Sequence, residues 1–332
     1  MLTSIAELLR AERDRTVPGH VNLLHYLGGL TAIFFALEVA TGLLLTIYYR
    51  PSAAGAYYST GVIMDEVRLG WLIRSVHRWG ADLLILLSLT HLARVYFARA
   101  YQAPRQLNWT VGILLFVLLL TASFTGMLLP WDQYAYWYTD SARAAIAAVP
   151  VLGKMMLTLF WGGWEISEEV LLRFYALHVG MVPWLAASLV FVHVLLVWRF
   201  GIKEPARAAG AAPVPFVPDF LLNLLIAVLL VGGLLLSVSV IFPATLLAPA
   251  DPLSALPQPQ PRWYFQPLRE LLQDLPGWGA GLGAVAFLLA LFLIPALDRR
   301  PAPPLWQKGL QRAVGVAVIA AALLLGARGY LR

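Results

Sequence analysis

The stretch GWLIRSVHRWGADLLILLSLTHLARVY, residues 70–96, decides how this chain folds. It is long and apolar enough for a helix to cross the hydrocarbon core of a bilayer, which takes about 20 such residues. Inside it lie His77 and His91, 14 residues apart. That spacing puts both rings within about 60° of one helix face, roughly 21 Å apart along the axis. A second apolar segment repeats the pattern with His178 and His193, 15 residues apart. Imidazoles inside a membrane helix are costly and usually mark function. Two such helices running parallel would hold two stacked metal centres.

Composition agrees with a membrane setting. Of 332 residues, 60% are hydrophobic, and the mean hydropathy is +0.73. Seven windows are long enough to span: 27–48, 75–98, 110–130, 176–198, 219–243, 278–296 and 310–329. An eighth, 143–160, carries Arg143, Pro150, Gly153 and Lys154 and is assigned to the membrane surface. Residues 1–20 are polar and amphipathic, so they do not read as a cleavable signal peptide. With no cysteine in the chain, disulfides, thiolate metal sites and covalently attached haem are excluded.

Charge sets the expected orientation. The loops 1–24, 94–105, 199–219 and 298–312 hold 13 Lys and Arg against 6 Asp and Glu, and the opposite loops hold 11 against 10. By the positive-inside rule the N-terminus is cytoplasmic, as in a multi-pass protein of a prokaryotic plasma membrane. The net charge of +6 needs no nucleic-acid partner. The expected fold is therefore an all-α membrane protein with seven to eight spans. A four-helix dihaem bundle occupies 1–205, an Ala/Pro/Gly linker 206–218, and a three-helix unit 219–332.

With alternating spans, the helices bearing the histidines run parallel, pairing His77 with His178 near the outer face and His91 with His193 near the inner one. Bis-imidazole ligation of two haem irons follows. Zinc fits less well, because no Cys, Asp or Glu accompanies either pair at ligand spacing. Gly28 and Gly42 are 14 apart, as are Gly112 and Gly126, and glycine lets neighbouring helices approach a planar macrocycle. Arg74, Arg78 and Arg94 stand beside the histidines, where propionates would need cations. A protein in which these histidines only pack or relay protons, such as a transporter using Glu38 and Asp82, is the alternative from another class.

Several stretches together resemble cytochrome b of the quinol–cytochrome c and quinol–plastocyanin oxidoreductases. They are residues 70–96, ATGLLLTIYYRP (40–51), PWDQYAYW (130–137), RFYALH (173–178) and ADPLSALPQPQPRWYFQPL (250–268). The 15-residue interval is similar to the plastid and cyanobacterial branch, and the second half resembles that branch's separate small subunit, here fused. The resemblance implies two b-type haems, quinol oxidation at an outer site, quinone reduction at an inner site, and a homodimer. It also implies an iron–sulfur partner and a c-type cytochrome. By match to the family's motifs, the outer site includes Pro261, Trp263, Tyr264 and Gly153, and the inner one lies near His20, Arg199 and Asp219.

Two departures stand out. The family's loop signature is Pro-Glu-Trp-Tyr, and its Glu is held to accept the quinol proton. Here Arg262 takes that place, and arginine cannot act as a base. Glu270 is the expected substitute, with Glu66, Asp65 and Glu38 as further candidates. A dihaem anchor without bifurcation, serving a multihaem cytochrome, is the competing reading. In the plastid-type branch a cysteine attaches a third haem; Tyr26 stands there in this chain, so two haems are expected.

Overall fold

The computed structural model describes residues 15–203, 212–254, 259–275, 277–300 and 304–331. Its helices, in chain order, are α1 (Leu27–Thr46), α2 (Ala56–Asp65), α3 (Gly70–Phe97), α4 (Gln106–Leu128) and α5 (Gln133–Ala147). They continue with α6 (Leu152–Met156, running on to Trp161), α7 (Glu168–Phe200) and α8 (Leu221–Ile241). The last three are α9 (Gln266–Asp274), α10 (Gly277–Leu297) and α11 (Leu305–Leu331).

Among the described residues six helices are long and apolar enough to cross a membrane: α1, α3, α4, α7, α8 with the turn before it, and α11. Helix α10 is a further apolar helix, and α6 is too short to cross. Helices are the natural solution because each satisfies its own backbone where no water can. Leucines at 225, 229, 230 and 234 of α8 stay exposed, the lipid-facing surface expected of a helix apolar all round.

Helix α1 packs along α3, α4 along α7, and α8 lies against α3. Leu30, Phe34, Leu84, Leu87 and Leu235 knit α1, α3 and α8 together. Leu128, Ala135, Leu157, Trp161 and Phe174 close the His77 end, and Tyr101, Trp109 and Ile113 meet α10 at the His91 end. Between α3 and α7 the histidine rings meet across the bundle.

The linker is tied down where it is described. Val214–Pro215 pairs antiparallel with Thr16–Val17, while residues 206–211 lie outside the described residues. A polar clasp joins the two halves at the same end. Asp298 accepts from Arg99 Nε at 2.8 Å and from the Tyr101 hydroxyl at 2.6 Å, and Lys203 donates to the Arg99 carbonyl at 2.8 Å. Burial alone would raise the Asp298 carboxyl, yet Arg99 and Tyr101 together hold it below the usual carboxylate value.

Candidate functional site

The four histidines meet as two pairs. His77 and His178 have ring centres 6.1 Å apart and nearly perpendicular planes, and His91 and His193 are 6.5 Å apart. A metal held by one nitrogen of each ring at about 2 Å would put the ring centres about 6 Å apart. Among the described residues no three His, Asp or Glu gather as a metal cage. Two imidazoles alone leave a metal under-coordinated, so a macrocycle supplying the remaining positions fits the donor set.

Each histidine is faced by one glycine, and a side chain there would meet the ring. A Cβ at Gly126 would lie 2.6 Å from His178 Cε1, at Gly28 3.0 Å from His91 Cε1, at Gly42 3.2 Å from His77 Cε1, and at Gly112 3.4 Å from His193 Cε1. All four glycines singled out by their 14-residue spacing thus stand against ligand candidates, two on α1 and two on α4.

The unequal intervals, 14 on α3 and 15 on α7, are reconciled by a wide turn. Residues Ala176–Met181, which include His178, form a π-helical turn just before Pro183. Proline offers no N–H and its ring crowds the preceding turn, so the backbone opens there. One residue is absorbed, as π-bulges do, frequently at functional sites. His178 and His193 then keep the angular relation of His77 and His91.

At the His77 end the outer faces of the rings are fixed. Thr41 Oγ1 lies 3.0 Å and Glu38 Oε2 3.1 Å from His77 Nδ1, and the Ala122 carbonyl accepts from His178 Nδ1 at 2.9 Å. Partners on Nδ1 leave Nε2 of each ring for a metal. A cavity of about 770 Å³ opens between these rings and the loop before α9. Gly42, Gly126, Arg74 and Arg78 line it. The guanidinium of Arg74 donates to the Ala244 carbonyl at 3.0 Å and the Thr245 carbonyl at 3.1 Å, and Arg78 pairs with Asp82 at 2.5 Å.

The loop brings Pro261, Arg262, Trp263 and Tyr264 to the same cavity. Tyr264 bonds the Ser123 hydroxyl on α4, and the Tyr134 hydroxyl donates to the Gln260 carbonyl at 2.7 Å. Arg262 reaches across to α3, its Nη1 3.4 Å from Asp82 Oδ2. Sequence reasoning missed this pair; two opposite charges in apolar surroundings, Asp82 inside a span and Arg262 in the loop, were the available signal.

Four expected residues fall elsewhere. Glu270 is buried on α9, where Arg328 of α11 donates to its carboxylate at 2.9 Å, and it does not line the cavity. Helix α9 turns that side chain toward α11, so nearness in sequence to Arg262 does not become nearness in space. Gly153 is buried, but its missing Cβ makes room for the Ile146 carbonyl and not for the cavity. Asp65 and Glu66 are exposed at the end of α2.

At the His91 end the rings are less supported. His91 Nδ1 and His193 Nδ1 are buried without a hydrogen bond among the described residues, although Asn108 turns its backbone toward His193. His20 meets His25 edge-on at 5.2 Å, and His25 Nδ1 lies 2.9 Å from Asn22 Oδ1. Burial, with Arg94 and His20 nearby, lowers the His25 pKa to about 4. Arg199 and Asp219 are exposed, and Tyr26 packs on Phe220, the neighbour of Asp219, at 4.8 Å.

Two family models match separate parts of the chain. Residues 12–201 match the family described as Cytochrome b/b6/petB, and 249–332 match Cytochrome b(C-terminal)/b6/petD. Over 192 residues the chain is 41% identical to cytochrome b6 of Rippkaea orientalis and 42% identical to that of Synechocystis sp., covering 58% of this chain and 86% of each relative. A chain of the solved structure titled "Hyperthermophilic respiratory Complex III" superposes with a TM-score of 0.88 and 26% identity, over 98% of this chain and 89% of that one.

Proposed function

The chain belongs to the cytochrome b/b6 family, as the cytochrome b subunit of a bc1/b6f-type quinol oxidoreductase complex, and we propose that His77 and His178 ligate one b-type haem and His91 and His193 the other. Membership in the family rules out the transporter reading. The observation that carries the proposal is the pair of ring separations, 6.1 and 6.5 Å, each with a glycine behind every ring. When bound, the two haems supply one-electron stations about four helical turns apart, enough to carry an electron between the faces of the membrane.

The chain's own residues do the rest. The cavity beside His77 takes quinol against Pro261, Trp263 and Tyr264, with the stiff proline-rich loop holding the aromatics in place. This face is outer, since the loops at the other end carry the excess of Lys and Arg. One electron of quinol leaves to an iron–sulfur partner and then a c-type cytochrome, and the other crosses the bundle. We assign quinone reduction to the inner face near His20, Arg199 and Asp219, with His25 packed edge-on against His20.

The test is oxidant-induced reduction in the purified complex, with quinol present and the inner site inhibited. Added oxidant should drive the b haems further reduced. A pyridine haemochrome assay should find two b haems per chain. Simple oxidation of the haems on adding oxidant would replace bifurcation with a plain transmembrane wire.

A further inference from the structure

Three carboxylates line the cavity at the His77 end: Glu38, Asp82 and Asp132. Asp132 spends both oxygens on the backbone, Oδ1 accepting from Ala135 N at 2.8 Å and Oδ2 from Leu247 N at 3.1 Å. Glu38 turns Oε2 to His77 and buries Oε1 against Gly80, also without a hydrogen-bond partner among the described residues. Asp82 differs in its counter-charges. Its Oδ2 takes Arg78 and Arg262, while Oδ1 is buried with no hydrogen-bond partner among the described residues. A buried carboxylate oxygen without a donor is a cost the fold carries until a ligand supplies one.

Arg262 completes the picture. Its side chain is only 15% exposed, and a guanidinium that cannot lose its proton needs a counter-charge in such a place. Helix α3 provides it. The carboxylate that the family's loop would carry therefore stands here on the helix, and the loop carries the cation.

We propose that Asp82 accepts a proton of quinol oxidation, with Arg78 and Arg262 positioning its carboxylate. The inference rests on reading this cavity as the quinol-oxidising site. A quinol hydroxyl donates to Asp82 Oδ1. As quinol becomes quinone, that O–H bond breaks and its proton passes to Oδ1, later to be released to water on the outer side. The proton of the second hydroxyl goes to water at the mouth of the cavity. The two electrons leave to the acceptors of the complex's established activity, which balances the oxidation.

Charged and titratable groups face Asp82 from every side: Arg78 on its own helix, Arg262 and Tyr264 from the loop, Glu38 from α1, Tyr134 from α5 and Tyr330 from α11. The two arginines pair with the carboxylate and aim it. Arg262 also stands where negative charge develops on the quinol oxygen, an arrangement that favours the transition state over the ground state.

The experiment uses the purified complex carrying Asp82→Asn, Arg262→Glu, or both. Loss of a positioned proton acceptor typically costs a hundredfold or more, so Asp82→Asn should lower kcat by at least about 10²-fold. KM for quinol should change far less, and the acid limb of the pH profile should vanish. On quinol addition the wild type should show a protonated-carboxyl infrared band that Asp82→Asn lacks. Arg262→Glu alone sets two acids side by side and should be slow. The double variant, with one carboxylate returned to the loop, should recover to within about tenfold of wild type.

Wild-type kcat and pH profile in Asp82→Asn would overturn the inference, as would a double variant as slow as Asp82→Asn alone. If Asp82→Asn does not assemble, the double variant with an intact haem spectrum decides. Absence of oxidant-induced reduction in the wild type would instead overturn the reading of the cavity itself.

Discussion

At the His77 end of the bundle both imidazoles are held from behind, by Thr41, Glu38 and the Ala122 carbonyl; at the His91 end His91 Nδ1 has no partner among the described residues and His193 has only the Asn108 backbone beside it. The backbones are alike, with helix, glycine and interval repeated, so the difference lies in the surroundings. A carboxylate on Nδ1 makes an imidazole a more basic ligand and stabilises the oxidised metal. Arginine stands one turn away at both ends, Arg74 beside His77 and Arg94 beside His91, so it does not separate them. With the haems bound as proposed, the carboxyl behind His77 predicts the lower potential beside the quinol cavity and the higher one at the other end.

The harshest way to break this comparison is to remove a ligand at either end. His178→Ala should eliminate the haem signal of the outer end and His193→Ala that of the inner end, each with complete loss of turnover, as read by low-temperature difference spectra of purified complex. Loss of both signals from either variant would mean that the stations do not form independently. Next in size are the glycines. Gly126→Ala forces a Cβ to within 2.6 Å of His178, whereas Gly112→Ala meets His193 at 3.4 Å, ordinary contact. Overpacking of the first kind costs about 1–3 kcal/mol. Thermal loss of haem absorbance should therefore occur at lower temperature in Gly126→Ala than in Gly112→Ala, and equal loss would remove the steric account.

Much of this arrangement was legible because membrane helices impose simple periodicities. Two histidines and two glycines at like intervals define faces, and in the fold each of those glycines stands against a histidine ring. What could not be read is where chain segments meet over long distances. Asp82 and Arg262 are separated by 180 residues, and no local pattern links them. Glu270 looked better placed, only eight residues beyond Arg262, but an intervening helix start carries it to Arg328. Gly153 resembled a cavity residue and is instead a packing glycine beneath Ile146. The wide turn at Ala176–Met181 had a visible cause in Pro183, yet the 15-residue interval alone gives no sign that one residue is absorbed.

A gentler perturbation tests the electronic half of the comparison. Glu38→Gln keeps the shape and replaces the carboxyl beside His77 Nδ1 with an amide, where Thr41 still offers an acceptor. The outer potential should rise, on the order of tens of millivolts, while the inner one stays put. Redox titration of the purified complex resolves both. Equal movement of the two would show that Glu38 acts through the general field of the bundle and not through His77.

The smallest expected effect concerns His25, at the inner end and outside the spans. Burial, Arg94 and His20 lower its pKa to about 4 in the folded chain, against 6.5 for an unperturbed histidine. Between those values the unfolded chain binds the extra proton and the folded chain does not, so stability is full above about pH 6.5 and declines as pH falls toward 4. His25 is only about half-buried, which screens the effect, and one proton is the ceiling. His25→Asn should flatten the decline in thermal stability of the inner haem signal across that window and leave the outer signal unchanged. If the outer signal flattened equally, the acid sensitivity would belong to the whole bundle, and the two ends would differ in their ligand surroundings alone.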